Sequence, residues 1–391
     1  MLDFLTSGLI TILAFTAVIS VVVIVHELGH FFAGRLCGVH AEVFSMGFGP
    51  TLFAVRDRRG TIWRLAALPL GGYVRFLGDA GAASEPDQEK LAEMRAKLGA
   101  AADRCYHFKP VWQRAFIAFA GPLANFILAV LIFFVLFATF GQSTQAPIVG
   151  NVRAESEAER AGLQTGDRIV SIAGNRIDSF PQIMTEFMLR PDEELLVVVE
   201  RNDREIDMLM TPRIERVADG LGGFRERAIV GFSGTNQRYF RQLGPIESIG
   251  AAFGQVGNVI SLTGRYVWRI LTGRVPPNML NGPVGIVTVS GQVANATIDN
   301  AQTTGAAAGG LALNLIQLVA LFSIGLGLVN LLPIPILDGG HLVYYAYEAV
   351  AGRPLSAKVQ AIGFRVGLAL VLGLMLVATW NDLVYLGGLG S

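Results

Sequence analysis

The residues best suited to chemistry in this sequence are two histidines and a glutamate in the segment His26-Glu-Leu-Gly-His30. Residues four apart lie on nearly the same face of a helix, so His26 and His30 can bind one metal ion together. Glu27 can then serve as general base to a zinc-bound water. The alternative is a chance match in a core helix. Because ionisable side chains at the end of a membrane-length apolar run are costly, we favour the zinc site.

The composition indicates a membrane protein. The 391 residues are 52 % hydrophobic and only 16 % charged, which is too apolar for one soluble globule. The net charge is zero and gives no indication of nucleic-acid binding, and the two cysteines lack the spacing of a metal site. Four segments could cross a bilayer: 8–32, 115–140, 311–337 and 361–380. We therefore expect a polytopic α-helical membrane protein with about four transmembrane helices.

The distribution of basic residues predicts the orientation of these helices. The ends of the chain before residue 8 and after residue 380 contain no Lys or Arg, whereas the connection 34–114 contains twelve and the stretch 333–365 contains three. The positive-inside rule then places both termini outside and these two connections in the cytoplasm. The zinc site faces the cytoplasm in this topology.

A catalytic zinc ion usually takes three protein ligands and leaves one position for water, so the first helix lacks one ligand. Asp338 is the candidate, because Pro333 and Pro335 break the third span just before it at the same cytoplasmic side. The rival ligands are His341 and Glu348. A helix-capping role at the membrane surface is the simpler alternative for Asp338.

Residues 42–76 are rich in β-branched and aromatic side chains and predict a membrane-associated β-hairpin sheet. The Gly47-Phe48-Gly49-Pro50 stretch predicts a turn with an apolar tip, which is either an ordinary hairpin or a re-entrant loop beside the zinc. Leu68 to Val74 is the candidate edge strand for pairing with an unwound substrate, through Gly71, Gly72 and Val74. Segment 84–103 is polar and predicts a cytoplasmic surface helix.

The region 146–234 is the most soluble-looking part of the chain. Its string from Ala161 to Gly174 resembles a PDZ domain of the bacterial, circularly permuted type, which implies a groove that binds a peptide or a C-terminus by strand addition. Another small β domain acting as a spacer is the alternative. Segment 246–274 is amphipathic and predicts a helix on the outer membrane surface, in contact with the lipid bilayer.

Taken together, the sequence resembles the site-2 protease family of intramembrane zinc metalloproteases, specifically the bacterial RseP-like group. The resemblance covers nearly the full length: the His26–His30 motif, the 47–49 loop, Leu68-Pro-Leu-Gly-Gly-Tyr-Val, Ala120-Gly-Pro-Leu-Ala-Asn-Phe126, one PDZ-like domain, and residues 330–340. It implies that His26, His30 and Asp338 are the zinc ligands, that Glu27 is the base, and that Asn330 helps to hold the substrate. The best-known enterobacterial relatives carry two PDZ domains in tandem, whereas this chain has room for one.

The resemblance implies regulated intramembrane proteolysis in the bacterial inner membrane. Single-span membrane proteins, already cut by another protease, would be the substrates, or signal-peptide remnants would be cleared. The protease core would then comprise residues 1–140 and 308–391, interrupted by the PDZ-like domain and the surface helix. The competing function is a transporter or channel that binds ions or relays protons through intramembrane His, Glu and Asp. A PDZ scaffold with an inactive metal site is the third alternative, which the presence of Glu27 disfavours.

Overall fold

The computed structural model describes residues 2–78, 88–218, 224–235, 238–272, 283–299 and 303–387. The helices in these ranges are α1 (Leu2–Leu36), α2 (Gln88–Leu98), α3 (Val111–Phe140), α4 (Glu157–Arg160), α5 (Phe180–Leu189), α6 (Pro245–Leu271), α7 (Pro283–Asp299), α8 (Thr304–Asn330), α9 (Asp338–Ala351) and α10 (Ala357–Gly387). The strands are β1 (Ala41–Arg56), β2 (Ile62–Phe76), β3 (Gln142–Gln145), β4 (Val149–Val152), β5 (Arg168–Ile172), β6 (Asn175–Arg176), β7 (Leu195–Arg201), β8 (Arg204–Met210), β9 (Arg213–Ala218), β10 (Phe224–Ile229), β11 (Phe232–Gly234) and β12 (Arg238–Arg241).

Four helices in the described part of the chain are long and apolar enough to cross a membrane. They lie at Gly8–Leu36, Val111–Phe140, Ala307–Asn330 and Ala357–Asp382, so the four predicted spans are confirmed. The last one leaves large apolar side chains exposed around its surface, as expected of a helix in lipid: Val366, Leu370, Leu374, Leu376 and Trp380. The protein is therefore a multi-pass membrane protein.

The chain divides into two compact units. The first unit comprises Met1–Phe133 and Pro283–Val377, and the second comprises Phe134–Gly282 and Ala378–Ser391. All of the residues proposed for chemistry belong to the first unit. The domain that resembles a PDZ domain in sequence belongs to the second.

Helix α7 is an element that the sequence did not predict. It begins at Pro283, where a missing amide hydrogen costs nothing in the first turn of a helix. Residues 281 and 282 lie outside the described residues. The helix packs Val289 and Val293 against Val18 and Val22 of α1, so it is part of the membrane unit.

Strands β1 and β2 form a bulged antiparallel ribbon. Residues 43–46 lie opposite both 62–65 and 72–75, and residues 51–56 lie opposite 62–66, so the ribbon is four segments wide. Its edges are therefore 51–56 and 72–76. The chain reverses direction at the predicted turn, residues 47–50. The partners of 43–46 rise from 62 to 65, whereas those of 51–56 fall from 66 to 62, and Gly47 and Gly49 have the positive φ angles of a tight reversal.

The polar segment before α3 contains the predicted surface helix. Residues 88–98 form α2 and residues 99–104 continue as a 3₁₀ turn, while residues 84–87 lie outside the described part. Lys97 and Glu93 form an exposed ion pair at 3.8 Å. Such a pair contributes little to stability, in keeping with a solvated helix.

The second unit contains a small α/β domain. Its main sheet has the strand order β6-β5-β7-β8, and β4 pairs with β11. Helix α5 covers the core, to which Ile183 and Phe187 contribute, and the sheet supplies fully buried Ile169, Val197 and Val199. Alternating burial along β7 produces this one-sided core.

Candidate metal centre

Helix α1 carries His26 and His30 toward one point. The two rings meet edge to face, with their Nε2 atoms 3.1 Å apart. His30 donates from Nδ1 to the carbonyl oxygen of Ile117 in α3 at 2.8 Å. Because a carbonyl oxygen only accepts, this bond leaves the lone pair of His30 on Nε2, which points toward His26.

Asp338 reaches the same point from the other half of the first unit. Helix α8 ends at Asn330, and the two prolines of the following loop remove amide donors before α9 begins at Asp338. The Oδ2 atom of Asp338 lies 3.2 Å from Nε2 of His26 and 3.4 Å from Nε2 of His30. In the described ranges, these three residues are the one group of His, Cys, Asp or Glu whose ligand atoms converge in this way.

The dimensions of this triangle fit a zinc ion. Tetrahedral zinc with bonds of about 2.0–2.1 Å places any two of its ligand atoms about 3.3–3.4 Å apart. The Oδ2 atom of Asp338 is buried and forms no hydrogen bond with any described residue, so its lone pairs are available to a cation. A methyl group at Gly121 of α3 would lie 2.3 Å from Nε2 of His30, so only glycine leaves the centre open. Two imidazoles and one carboxylate are suitable zinc ligands.

The rival ligands lie elsewhere on α9. Glu348 forms a buried ion pair with Arg114 of α3 at 2.6 Å, and Arg114 also lies over the ring of Tyr345. His341 contacts the rings of Tyr344 and Tyr345. Neither side chain belongs to the converging group. Both instead pack α9 within the first unit.

Glu27 lies beside the ribbon. Its Oε2 atom accepts a hydrogen bond from the backbone amide of Val74 at 3.1 Å. A Cβ at Gly72 would lie 3.5 Å from Cγ of Glu27, so this glycine also borders the Glu27 side chain. The edge segment 72–76 therefore runs directly alongside Glu27.

The other residues predicted for the site are distributed around it. The amide nitrogen of Asn330 lies 3.3 Å from Nε2 of His26, at the centre itself. Phe48 packs its ring on Gly71, where a Cβ would lie only 2.4 Å away, and stacks with Tyr73. The Gly47-Phe48-Gly49 stretch is thus joined to the edge segment through the contact of Phe48 with Tyr73.

Comparison with known proteins agrees with this geometry. The sequence profile of Peptidase family M50 matches residues 14–374. The chain is 45 % identical over 380 residues to the metalloprotease MmpA of Caulobacter vibrioides, covering 96 % of each chain. It is 41 % and 40 % identical to proteins of Agrobacterium fabrum and Brucella suis that carry zinc metalloprotease names, over at least 95 % of each chain.

This chain belongs to peptidase family M50. Family M50 is the site-2 protease family, so the resemblance found in the sequence is confirmed. The protein is a zinc metalloprotease, and zinc is its cofactor. These findings favour the protease over the alternative of a transporter or channel.

Two contacts at this M50 centre were not foreseen from the sequence. Val74 was expected to offer its amide to a substrate, whereas that amide binds Glu27. Asn125 of α3 is fully buried with its amide nitrogen 3.3 Å from Nδ1 of His26. A polar residue in the middle of an uncharged span was the signal for Asn125, because such residues are costly in lipid unless they have a role.

A second cluster of polar contacts joins the ribbon to the end of α1. Arg35 of α1 donates to the carboxylate of Asp57, which also accepts from the indole of Trp63 at 3.2 Å. Burial favours a raised pKa for Asp57, but these bonds and those from the amides of Thr61 and Arg59 hold its pKa well below the usual range. The charged carboxylate thus keeps the ribbon against α1 at neutral pH.

Proposed function

We propose that this protein is an intramembrane endopeptidase in which His26, His30 and Asp338 hold the zinc ion and Glu27 is the general base. The observation that supports this most directly is the triangle of ligand atoms, 3.1–3.4 Å on a side, next to Glu27 on a helix of membrane-spanning length. The test is zinc content together with cleavage of a model single-span substrate by the purified protein. A protein with one zinc ion that never cuts the transmembrane segment would contradict the proposal.

Each side chain has a separate task in peptide hydrolysis. Zinc, when bound, polarises the scissile carbonyl and makes water a nucleophile near neutral pH. Glu27 takes the proton of the attacking water and passes it to the leaving amine. Because Val74 occupies Oε2 of Glu27, the other carboxylate oxygen is left to take the proton. The Val74 amide thus orients the base.

The substrates are single-span membrane proteins. A transmembrane helix hides its amides in internal hydrogen bonds, so the scissile carbonyl is shielded until the segment unwinds. Freed backbone groups cost several kcal/mol each in the bilayer unless they find partners. The edge segment 72–76 can supply partners, as an unpaired strand edge does. Since the Val74 amide already binds Glu27, Gly72 is the position whose backbone groups pair with the substrate.

The rest of the ribbon and Asn330 complete this substrate site. Phe48, Leu52, Phe53 and Leu68 expose from 45 % to 67 % of their surface, which suits a ribbon that dips into the bilayer. Asn330, at the centre, holds the unwound segment from the side opposite the ribbon. The substrate would then lie between two sets of hydrogen-bonding groups.

Substitution at position 72 tests strand pairing. Gly72→Pro should slow cleavage of a stable helical substrate far more than Gly72→Ala. Both variants add a Cβ that approaches the carbonyl oxygen of Ser45, but only proline removes the amide hydrogen. The measurement is the initial rate on two substrates that differ only by a Gly-Pro pair near the cut. The substrate with the Gly-Pro pair, whose helix is broken, should be cut faster. Equal rates for both variants and both substrates would contradict docking on this edge.

The charge distribution supports a topology. The basic connections 34–114 and 333–365 lie in the cytoplasm. Both termini and the α/β domain lie on the side of the bacterial inner membrane that faces away from the cytoplasm. The zinc centre is then open to the cytoplasm. Cleavage there would release a cytoplasmic regulator from its membrane anchor or clear signal-peptide remnants.

The α/β domain, residues 146–234, binds an extended peptide or a C-terminus in a PDZ-like manner. A groove of about 370 Å³ is lined by Asn151, Arg153, Met184, Phe187, Ile229, Val230, Gly231, Phe232 and Ser233. Among the described strands, β11 pairs only with β4, so its second edge is available for a peptide strand. The apolar residues of α5 can bind alternate side chains of that peptide. This domain would screen out substrates whose outer part has not been trimmed by an earlier protease.

Helix α6 attaches this domain to the membrane surface. It exposes Ile246, Ile249, Phe253 and Trp268, which suits a helix lying in the lipid interface. Residues 273 and 274 of the predicted segment lie outside the described part. Two ion pairs join the helix to its domain: Arg265 to Glu186 at 3.0 Å, and Arg269 to Glu193.

A charge placed in the groove tests the screening function. Met184→Glu should increase cleavage of a substrate that retains its bulky outer domain and leave cleavage of the trimmed substrate unchanged, since the groove belongs to the second unit and the zinc centre to the first. Leu209→Glu, at an exposed position of β8 outside the groove lining, is the matched control. The ratio of the two initial rates is the measurement. If the Met184→Glu protein discriminates between the trimmed and untrimmed substrates as strongly as the Leu209→Glu protein does, the groove does not screen substrates.

A further inference from the structure

Asn125 is the least explained polar side chain near the zinc centre. It lies in α3 with no exposed surface, and its amide nitrogen is 3.3 Å from Nδ1 of His26. Its oxygen Oδ1 is buried and has no hydrogen-bond partner in the part of the chain that the structure describes. A buried polar atom without a partner is costly, so its presence next to a metal-binding histidine requires a reason.

The protonation of His26 supplies that reason. A histidine that binds zinc through Nε2 keeps its proton on Nδ1, which is then a donor. An amide nitrogen facing that donor would place two hydrogens against each other. The nitrogen and oxygen of an amide have nearly the same shape, so their assignment depends on the hydrogen-bond network. Either orientation leaves one end of the amide without a partner. The contact with Nδ1 of His26 therefore determines which end of the amide faces the histidine.

We propose that Asn125 is a positioning residue that presents Oδ1 to the Nδ1 hydrogen of His26 and so fixes both the tautomer and the ring orientation of this ligand. The proposal rests on the zinc site described above. It adds an outer contact of the kind that orients metal-binding histidines in proteins generally.

The second histidine offers a parallel on the same helix. His30 donates its Nδ1 hydrogen to the carbonyl oxygen of Ile117 at 2.8 Å. Ile117 and Asn125 are eight residues apart, about two turns of α3, so one helix presents an acceptor to each ligand of α1. The backbone supplies the acceptor for His30, and a side chain supplies it for His26. Consequently only the contact with His26 can be removed by substitution.

The experiment compares zinc affinity, measured by competition with a chelator, for three variants of the full chain. Asn125→Leu keeps the size but removes the acceptor, and should weaken zinc binding about 10–100-fold. Asn125→Asp keeps an acceptor and should bind zinc within a few-fold of the wild type. Ser323→Ala is the control, because Ser323 is buried and donates to the backbone oxygen of Asn125 at 2.9 Å without touching His26.

Nitrogen-15 NMR of histidine in the zinc-loaded wild type gives an independent readout that needs no variant. The proposal requires His26 to carry its proton on Nδ1, and zinc bound through Nδ1 would overturn it. Unchanged affinity in Asn125→Leu, or an equal loss in Asn125→Asp or Ser323→Ala, would also overturn it. A wild-type protein that holds no zinc would overturn the zinc site itself, whereas normal wild-type binding with an unaffected Asn125→Leu overturns only the role of Asn125.

Discussion

Glu27→Gln should retain zinc and lose cleavage. The carboxamide still offers an oxygen to the Val74 amide, which donates to Glu27 at 3.1 Å, so the side chain stays in place. It cannot take a proton from water at neutral pH. A positioned acid–base group contributes about 10²–10⁴-fold, and we expect a loss of at least that size. The measurement is the initial rate on a model single-span substrate, with metal analysis of the same preparation.

Glu42→Gln is the matched control for this substitution. Glu42 lies on β1, in the same ribbon, and its carboxylate pairs with Arg75 at 3.0 Å in a partly exposed position. Such pairs contribute about 0–1 kcal/mol, so this variant should keep both zinc and activity. Substantial cleavage by purified Glu27→Gln would show that Glu27 is not the base. Loss of zinc from the Glu27→Gln protein would show that Glu27 has a structural role.

The membrane helices could be predicted because their signal is local. An uncharged run of membrane length specifies a helix wherever the bilayer removes water from the backbone, as between Ala115 and Phe140. The break after Asn330 was equally readable, because Pro333 and Pro335 cannot continue a helix. The His26–His30 pair follows from helix periodicity alone.

Helix α7 could not be predicted in the same way. It has 17 residues, which is short for a membrane span, and includes Gly285, Ser290 and Gly291. Its stability comes from contacts with distant segments, such as the approach of Gly291 to Thr11 of α1. Small residues allow helices to approach closely in membranes, but they resemble a loop in the sequence.

The choice among ligands also depended on tertiary contacts. Asp338 and Glu348 are both carboxylates of α9. The proline break favours Asp338, but the local sequence does not show what Glu348 does instead. The separation comes from Arg114, which lies more than 200 positions earlier in the chain and pairs with Glu348 at 2.6 Å. Likewise, only the packing of the ribbon on α1 reveals that the Val74 amide faces Glu27. Partners distant in sequence decided which of several suitable groups belongs to the site.

Asp338→Asn should weaken zinc binding more than any change outside the three ligands, and abolish cleavage. Oδ2 of Asp338 lies 3.2 Å and 3.4 Å from the Nε2 atoms of the two histidines, so it closes the triangle. Asparagine is a neutral and poorer ligand than carboxylate. Since changes around the ligands cost about 10–100-fold in metal affinity, loss of a ligand should exceed that range. Chelator competition and metal analysis measure it.

His341→Ala is the control within the same helix. In the described part of the chain, the ring contacts of His341 are with two tyrosines, Tyr344 and Tyr345. It should keep zinc. Glu348 is a less suitable control, since its removal leaves Arg114 as an unpaired buried charge and the protein would lose stability for that reason alone. If His341→Ala released the metal while Asp338→Asn retained it, the third ligand would be His341. The break at the prolines would then position His341 as the ligand, and not Asp338, which the triangle of distances identifies.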